Sequence, residues 1–250
     1  MRRFFASPEN FDAGSVALNL AESKHLREVL RLRENDQVQV FDGQGRAYLC
    51  TIEKLGRGHE TTKLLIEQEI DDAPAAESNL ELTLGVALLK GEKFDLVVQK
   101  TTELGVNKIV PLQTKRADVR LKDEKEIAKK LERWQRIALE AAKQSGRSVL
   151  PQIEKPVAVE SFLRTSNDAD LKFFLAERRG HAWPENPSVN HQSSKAVIVI
   201  GAEGGWEDSE IEAASTSGFT ILTLGARILR AETAAIAAVT LMQHRYGDLR

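Results

Sequence analysis

The chain has 250 residues, 42% of them hydrophobic, and a formal net charge of −2 at pH 7. This length suits one large domain or two ordinary ones, and the near-zero charge gives no overall sign of a nucleic-acid partner. One cysteine excludes an internal disulfide and a cysteine zinc cluster, and the five histidines show no ligand spacing, so we predict no metal site. No apolar run approaches the roughly 18 residues of a membrane span, which predicts a cytoplasmic protein without a membrane partner.

Residues 1–72 are predicted to form a small β-rich domain. Two segments that alternate apolar and polar residues flank an Asp-Gly turn at Asp42, a pattern typical of a β-hairpin. A short helix precedes the hairpin, with an apolar stripe of Leu26, Val29 and Leu30. Basic residues on another face of this helix and near the N-terminus either follow a phosphate backbone or form an ordinary solvated surface. These residues are Arg2, Arg3, Lys24, Arg27 and Arg31.

A linker is predicted at residues 73–79, where small, polar and proline residues accumulate. The second domain, residues 80–250, begins with an apolar strand at 80–89, a helix at 92–104 and another strand at 108–112. Strands that alternate with helices in this way predict an α/β fold with a parallel sheet.

The middle of the second domain is basic. Residues 100–150 hold thirteen Lys or Arg against seven Asp or Glu. Lys100 and Arg116 are therefore candidates for contacts with RNA phosphates, although a charged helix surface is often only solvated. Within this region, residues 124–144 are predicted to form a helix with one apolar stripe. Further along the chain, the polar segment 177–194 is predicted to be a long loop.

Two glycine-containing segments follow apolar strands near the C-terminus. The β-branched run 196–200 leads into Gly-Ala-Glu-Gly-Gly at 201–205, and the strand 219–224 leads into Gly225 and then a helix ending near Tyr246. Because ligands bind beyond the carboxyl ends of parallel strands, both segments are expected to face one pocket. The spacing matches neither a dinucleotide fingerprint nor a P-loop, and glycines at such places also serve simply to tighten turns.

The order of these motifs resembles the RsmE family of small-subunit ribosomal RNA methyltransferases. The similar residues are Gly201-Ala202-Glu203-Gly204-Gly205, Gly218-Phe219, and Leu224 through Ala234. Family members usually have proline where Ala202 stands and threonine where Ala231 stands. These departures are small beside the glycines, and they affect only the fine geometry that the resemblance implies.

The resemblance implies a SPOUT-type fold. Its C-terminal domain has a parallel sheet with helices on both faces and a deep trefoil knot, and its N-terminal domain is a PUA-like RNA-binding β-barrel. The family binds S-adenosylmethionine, acts as a homodimer, and methylates N3 of a uridine in small-subunit (16S) ribosomal RNA. An assembled small ribosomal subunit is the expected partner.

The same resemblance implies a set of cofactor contacts, made largely through backbone groups. These residues are Leu175, Ala176, Gly201, Ala202, Glu203, Gly204, Gly205, Leu224, Gly225, Arg227, Ile228, Leu229 and Ala231.

The chemistry of the reaction suggests catalytic candidates. Uridine N3 must lose a proton, which a carboxylate or a polarised water can accept, and an arginine can stabilise the negative charge that develops on O2 or O4. The candidates are Arg230, Glu232 and Arg227, joined by Arg116 and Arg147 if their segments approach. An acidic residue in a first helical turn, and arginines in structural ion pairs, are equally ordinary explanations of these positions.

Three functional interpretations stay open from the sequence. The first is a methyltransferase that acts on a uridine of 16S rRNA. The second is a SPOUT methyltransferase that acts on another RNA or another base position. The third is a non-catalytic RNA-binding or ribosome assembly factor. The intact glycine segments favour an enzyme, and the choice of RNA depends on the family resemblance alone.

Overall fold

The computed structural model describes residues 2–70, 77–121, 123–177, 179–183 and 195–249. Most of the predicted linker and of the predicted polar loop lie outside these residues. The chain divides into two compact units, Met1–Glu77 with Ala142–Leu150 and Ser78–Ala141 with Pro151–Arg250. The expected linker at residues 73–79 stays a prediction.

The first unit is built on one six-stranded sheet. Its strands are β1 (Arg3–Phe5), β2 (Phe11–Asp12), β3 (Ser15–Ala17), β4 (Gln37–Phe41), β5 (Ala47–Lys54) and β6 (Lys63–Ile70), in the order β1-β4-β5-β6-β3-β2. β1 pairs with β4 in parallel, and the other neighbours are antiparallel. The predicted hairpin is confirmed as β4 and β5. Buried aliphatic and aromatic residues, including Phe4, Val38 and Ile52, form the core of this unit.

The predicted short helix of the first unit is present, but its second half is not α-helical. A 3₁₀ turn (Pro8–Asn10) precedes helix α1 (Leu20–Lys24), which continues as a π-helical turn (His25–Val29). Leu26 is fully buried as predicted, but Val29 is 65% exposed. A π-helical turn is wider than an α-helical one, so residues three apart no longer share a face. The expectation that Val29 lies on the buried stripe is therefore wrong.

The second unit contains a parallel sheet, as predicted. Its strands are β7 (Glu81–Ala87), β8 (Lys108–Gln113), β9 (Gln152–Ile153), β10 (Val157–Ala158), β11 (Leu171–Leu175), β12 (Lys195–Ile200) and β13 (Thr220–Leu222). The order is β10-β8-β7-β12-β11-β13, and β9 also pairs with β8. All of these pairings are parallel. The apolar strand β12 lies inside the sheet, which explains why five of its six residues are buried.

Helices cover both faces of this sheet, which confirms the predicted α/β architecture. One face packs against α2 (Lys93–Glu103), α3 (Glu124–Ser145) and α6 (Ala231–Tyr246). The other face packs against α4 (Val159–Thr165) and α5 (Asp208–Thr216). Alternate residues of β12 point to opposite faces, so Ile198 joins the first core and Val199 the second.

Strand β13 is enclosed on both edges. Leu222 pairs with Leu175 of β11, while His181, in the segment after β11, bridges the opposite edge of β13. The His181 amide donates to the carbonyl of Ile221 at 2.9 Å. Gly180 approaches so closely that a Cβ there would lie 2.2 Å from the carbonyl carbon of Leu222. The carboxyl ends of β11, β12 and β13 are thus gathered together, and the trefoil knot itself stays a prediction.

Candidate functional site

A cavity of about 730 Å³ lies in the second unit, beyond the carboxyl ends of β11, β12 and β13. Its walls come from the ends of these strands and from the segments that follow them. The lining residues include Leu175, Ala176, Glu177, Arg179, residues 200–206, Asp208, Leu222, Thr223, Leu224, residues 227–231 and Arg116. The volume falls within the range typical of sites for small molecules and cofactors.

The first glycine loop, residues 201–205, follows β12 and folds back on the sheet. Its turn brings Trp206 over the strand ends, where the indole N–H donates to the carbonyl of Leu175 at 2.8 Å and the ring packs on Phe174. A Cβ at Gly201 would lie 2.9 Å from that indole, and Gly205 has a φ of +69° that favours glycine. Two of the three glycines of the loop are therefore required by its geometry at these positions.

A segment from another part of the unit backs this loop. Glu210 caps α5 by accepting from the Glu207 amide at 2.8 Å, and its other oxygen accepts from the Lys115 amide at 2.9 Å. The Arg116 side chain pairs with Glu207 at 2.6 Å. A Cβ at Gly204 would lie 2.8 Å from the Arg116 carbonyl oxygen. The third glycine is thus required by the close approach of residues 115–116.

Ion pairs neutralise the charges around the first glycine loop. The hydrogen bond and charge of Glu207 raise the pKa of Arg116, and Arg179 pairs with Asp208 at 2.8 Å. Burial of the Glu203 carboxyl opposes its ionisation, but the pKa of Glu203 is nevertheless lowered, because Lys93 donates a hydrogen bond to it at 2.8 Å. The acidic side chain next to the glycines therefore carries its own counter-charge.

The second glycine loop, residues 224–230, differs in its charges. Gly225 has a φ of +72°, which turns the chain away from β13. Arg227 and Arg230 are exposed, and their side chains form no hydrogen bond or ion pair with the part of the chain that the structure describes. Ile228, between them, is 70% exposed. One rim of the cavity is thus electrostatically neutralised, whereas the other presents two guanidinium groups to solvent.

The structure brings nearly all of the predicted cofactor residues to this cavity. All of them line it except Gly225, which shapes the second glycine loop. The sequence prediction did not include Glu177, Arg179 or Asp208. The first two directly follow the end of β11, and Asp208 begins α5 after the first loop, so their place beyond a strand end was the signal that could have found them.

The predicted catalytic residues are placed differently from one another. Arg227, Arg230 and Arg116 line the cavity. Glu232, at the start of α6, does not line the cavity, although Ala231 and Ala234 do. It is 8% exposed, and its Oε2 has no hydrogen-bond partner among the described residues. Arg147 belongs to the first unit, where its buried guanidinium pairs with Glu77 at 2.9 Å.

The predicted RNA-binding residues of the first unit fall into two groups. Arg2, Lys24 and Arg31 are exposed, and Lys24 forms only a wide ion pair with Glu28, at 3.9 Å. Arg3 donates to the Ser148 hydroxyl at 2.9 Å, and Arg27 donates to the Gly56 carbonyl. In the second unit, Lys100 pairs with Glu103 at 2.9 Å. Only the first group offers side chains that are largely available to a polyanion.

Neither a metal site nor a membrane span is found in the part of the chain that the structure describes. No group of three or more His, Cys, Asp or Glu side chains there is arranged to hold a metal ion. The same residues contain no helix that is long and apolar enough to cross a bilayer.

Comparison with known proteins defines the class to which this fold and site belong. Residues 76–243 match the family model described as an RNA methyltransferase domain. Residues 18–65 match the model of an RNA methyltransferase PUA domain. The sheet with its glycine-lined cavity and the smaller β-sheet unit are thus the two parts of an RNA methyltransferase.

Similarity to individual proteins identifies the family within this class. Ribosomal RNA small subunit methyltransferase E of Synechocystis is 35% identical over 241 residues, which cover 95% of this chain and 75% of that protein. A solved structure of the corresponding Neisseria gonorrhoeae protein, bound to S-adenosylmethionine, is 34% identical over all of both chains, with a TM-score of 0.87. A methyltransferase of Legionella pneumophila with bound SAM is 33% identical over 99% of this chain and 98% of that one, with a TM-score of 0.88. The chain belongs to the ribosomal RNA small subunit methyltransferase E family.

Proposed function

We propose that this protein transfers the methyl group of S-adenosylmethionine to N3 of one uridine in 16S ribosomal RNA. Family membership supports the donor and the class of RNA. The observation that carries the proposal for this chain is the cavity beyond three strand ends, with two glycine loops on its walls.

The cavity fits the methyl donor. At Gly201 and Gly204 a side chain would collide with Trp206 and with the Arg116 carbonyl, so glycine lets the first glycine loop pack closely on these groups while residues 201–205 line the cavity. We propose that backbone groups of the two glycine loops and of Leu175 and Ala176 hold the adenosine and methionine parts. When bound there, the donor supplies an electrophilic methyl group on a positively charged sulfur.

The protein's own contribution is to orient and to stabilise charge. Methyl transfer to a ring nitrogen is an in-line displacement, so positioning of the uracil supplies much of the rate enhancement. We propose that Arg230 donates to a uracil oxygen and stabilises the negative charge left when N3 loses its proton. Arg227, on the same loop, contacts a neighbouring phosphate.

The proton of N3 needs an acceptor. We propose Glu232 for this role, directly or through a water molecule, because its Oε2 is buried without a partner among the described residues and the preceding residue, Ala231, lines the cavity. For Arg116 and Arg147 we propose structural roles, since each is held by a carboxylate, Glu207 and Glu77 respectively.

We further propose that the protein acts in the cytoplasm as a homodimer on an assembled small ribosomal subunit. The exposed residues Arg2, Lys24 and Arg31 of the first unit are proposed to contact rRNA phosphates. The relatives are small-subunit rRNA methyltransferases, and one of them is bound to S-adenosylmethionine, which supports the small ribosomal subunit as the partner and the cytoplasm as the location.

The test is transfer of labelled methyl from S-adenosylmethionine to small subunits that lack the modification, with the product nucleoside identified by mass spectrometry. N3-methyluridine at one rRNA position is the expected result. Label in another RNA or at another base position would overturn the proposed substrate, and the absence of cofactor binding would favour a non-catalytic RNA-binding protein.

A further inference from the structure

Ile228 occupies an unusual position for an aliphatic side chain. Of the large hydrophobic residues that the structure describes, it is the most exposed, at 70%. Single exposed hydrophobic residues are common on protein surfaces and need no explanation by themselves. Ile228, however, lies on the second glycine loop at the edge of the cavity. Because Ile228 lies at the cavity edge, its exposed side chain is placed to contact a substrate.

The surroundings of Ile228 favour a polyanion as the partner. Arg227 and Arg230 flank it, both exposed and without ion-pair partners in the described part of the chain. No acidic residue occurs in the sequence between Glu212 and Glu232. An apolar side chain between two unneutralised guanidinium groups complements RNA, which combines phosphate charge with the apolar faces of stacked bases.

The proposed reaction creates a need for such a side chain. A uridine held in an RNA stack must be extruded before its N3 can reach an enzyme cavity, and the extrusion leaves a gap between the neighbouring bases. Proteins that open base steps commonly insert an apolar side chain between the bases. The residue that does so must be exposed at the rim of the site, and Ile228 meets this condition.

We propose that Ile228 is a wedge that enters the RNA stack and fills the space vacated by the target uridine, while Arg227 contacts the adjacent phosphate. This inference rests on the proposed function, because it assumes a uridine extruded into the cavity. It assigns to the Ile228 side chain a direct contact with the substrate RNA, in addition to the backbone contact with the cofactor proposed above.

The experiment measures single-turnover methyl transfer to small subunits that lack the modification, at saturating S-adenosylmethionine. Ile228→Ala and Ile228→Asn are expected to lower the rate about tenfold or more, whereas Ile228→Leu stays within about threefold of the unaltered protein. Leu65→Ala is the matched control, since Leu65 is another exposed aliphatic residue, on β6 of the first unit. For each variant, calorimetric titration measures the affinity for S-adenosylmethionine, and sedimentation measures the mass of the protein in solution.

Three results would overturn the wedge and leave the proposed function standing. Equal transfer rates for Ile228→Ala and the unaltered protein would show that the RNA does not need this side chain. A parallel loss of cofactor affinity would make Ile228 a cofactor contact, and a change in sedimenting mass would make it a contact with a second copy of the chain. If the unaltered protein itself transfers no methyl group, the proposed function fails and the wedge falls with it.

Discussion

The two glycine loops occupy equivalent places, each after a parallel strand, yet they differ in packing and in charge. The first, residues 201–205, is packed against Trp206 and against Arg116, and the charges around it are paired. The second, residues 224–230, exposes Ile228 and two unpaired arginines. Close packing with compensated charge suits a loop that holds a small cofactor, and open cationic surface suits a loop that meets RNA.

The largest effect should come from filling the space behind the first glycine loop. Gly204→Val is expected to weaken S-adenosylmethionine binding at least about 100-fold, because its Cβ would lie 2.8 Å from the Arg116 carbonyl oxygen. Gly205→Ala is the comparison: no atom lies within 4 Å of that Cβ position, and only the φ of +69° is strained. Titration calorimetry measures both, and normal binding by Gly204→Val would refute the assignment of this loop.

Removal of the Arg230 side chain from the second glycine loop should lower the rate of methyl transfer rather than the affinity for the cofactor. Arg230→Ala is expected to lower kcat about 100-fold, with the dissociation constant of S-adenosylmethionine unchanged within about threefold. The comparison is Arg179→Ala on the opposite rim, where Asp208 already neutralises the guanidinium, and its loss of kcat should be smaller. A larger effect on cofactor affinity than on kcat would discard the proposed role of Arg230.

The salt dependence of small-subunit binding distinguishes free from paired arginines. The logarithm of the binding constant falls with the logarithm of the salt concentration, and Arg227→Ala is expected to make this slope less steep by about 0.7 to 0.9, the contribution of one phosphate contact. Arg116→Ala should change the slope less, because Glu207 holds the Arg116 side chain at 2.6 Å. Equal slopes for the two variants would remove the electrostatic distinction between the loops.

The smallest effect is expected at the ion pair beside the first glycine loop. Lys93→Met should raise the pKa of Glu203, which Lys93 lowers in the unaltered protein. Since the folded-state pKa of Glu203 is lowered, the stabilisation from ionised Glu203 is present above its ordinary pKa and is lost as the pH falls through the lowered value. The pair is partly exposed, so the loss of stability should stay below about 1 kcal/mol. Carboxyl NMR titration measures the shift, and an unchanged pKa would contradict the pairing.

Much of this organisation was predictable from local sequence. The β-branched run before Gly201 predicted a buried parallel strand, and its glycines predicted a loop at the strand end. The contacts that distinguish the two loops were not predictable. The pairing of Arg116 with Glu207 joins residues 91 positions apart, and their distance in space follows from the order of the strands.

Two further features could be identified only from the folded structure. Gly180 gave no motif, yet its close contact with Leu222 encloses β13. Arg147 was a catalytic candidate by its charge, but its partner Glu77 fixes it in the first unit, which also takes in residues 142–150. Long-range pairing of this kind decides whether an arginine is available to a substrate, and composition does not encode it.

Amide hydrogen exchange with and without S-adenosylmethionine tests most directly whether both glycine loops form one cofactor site. The account predicts slower exchange in residues 201–206 and 224–231 when the cofactor is added, with little change in β4 and β5 of the first unit. Protection of only one loop, or protection centred on the first unit, would contradict it.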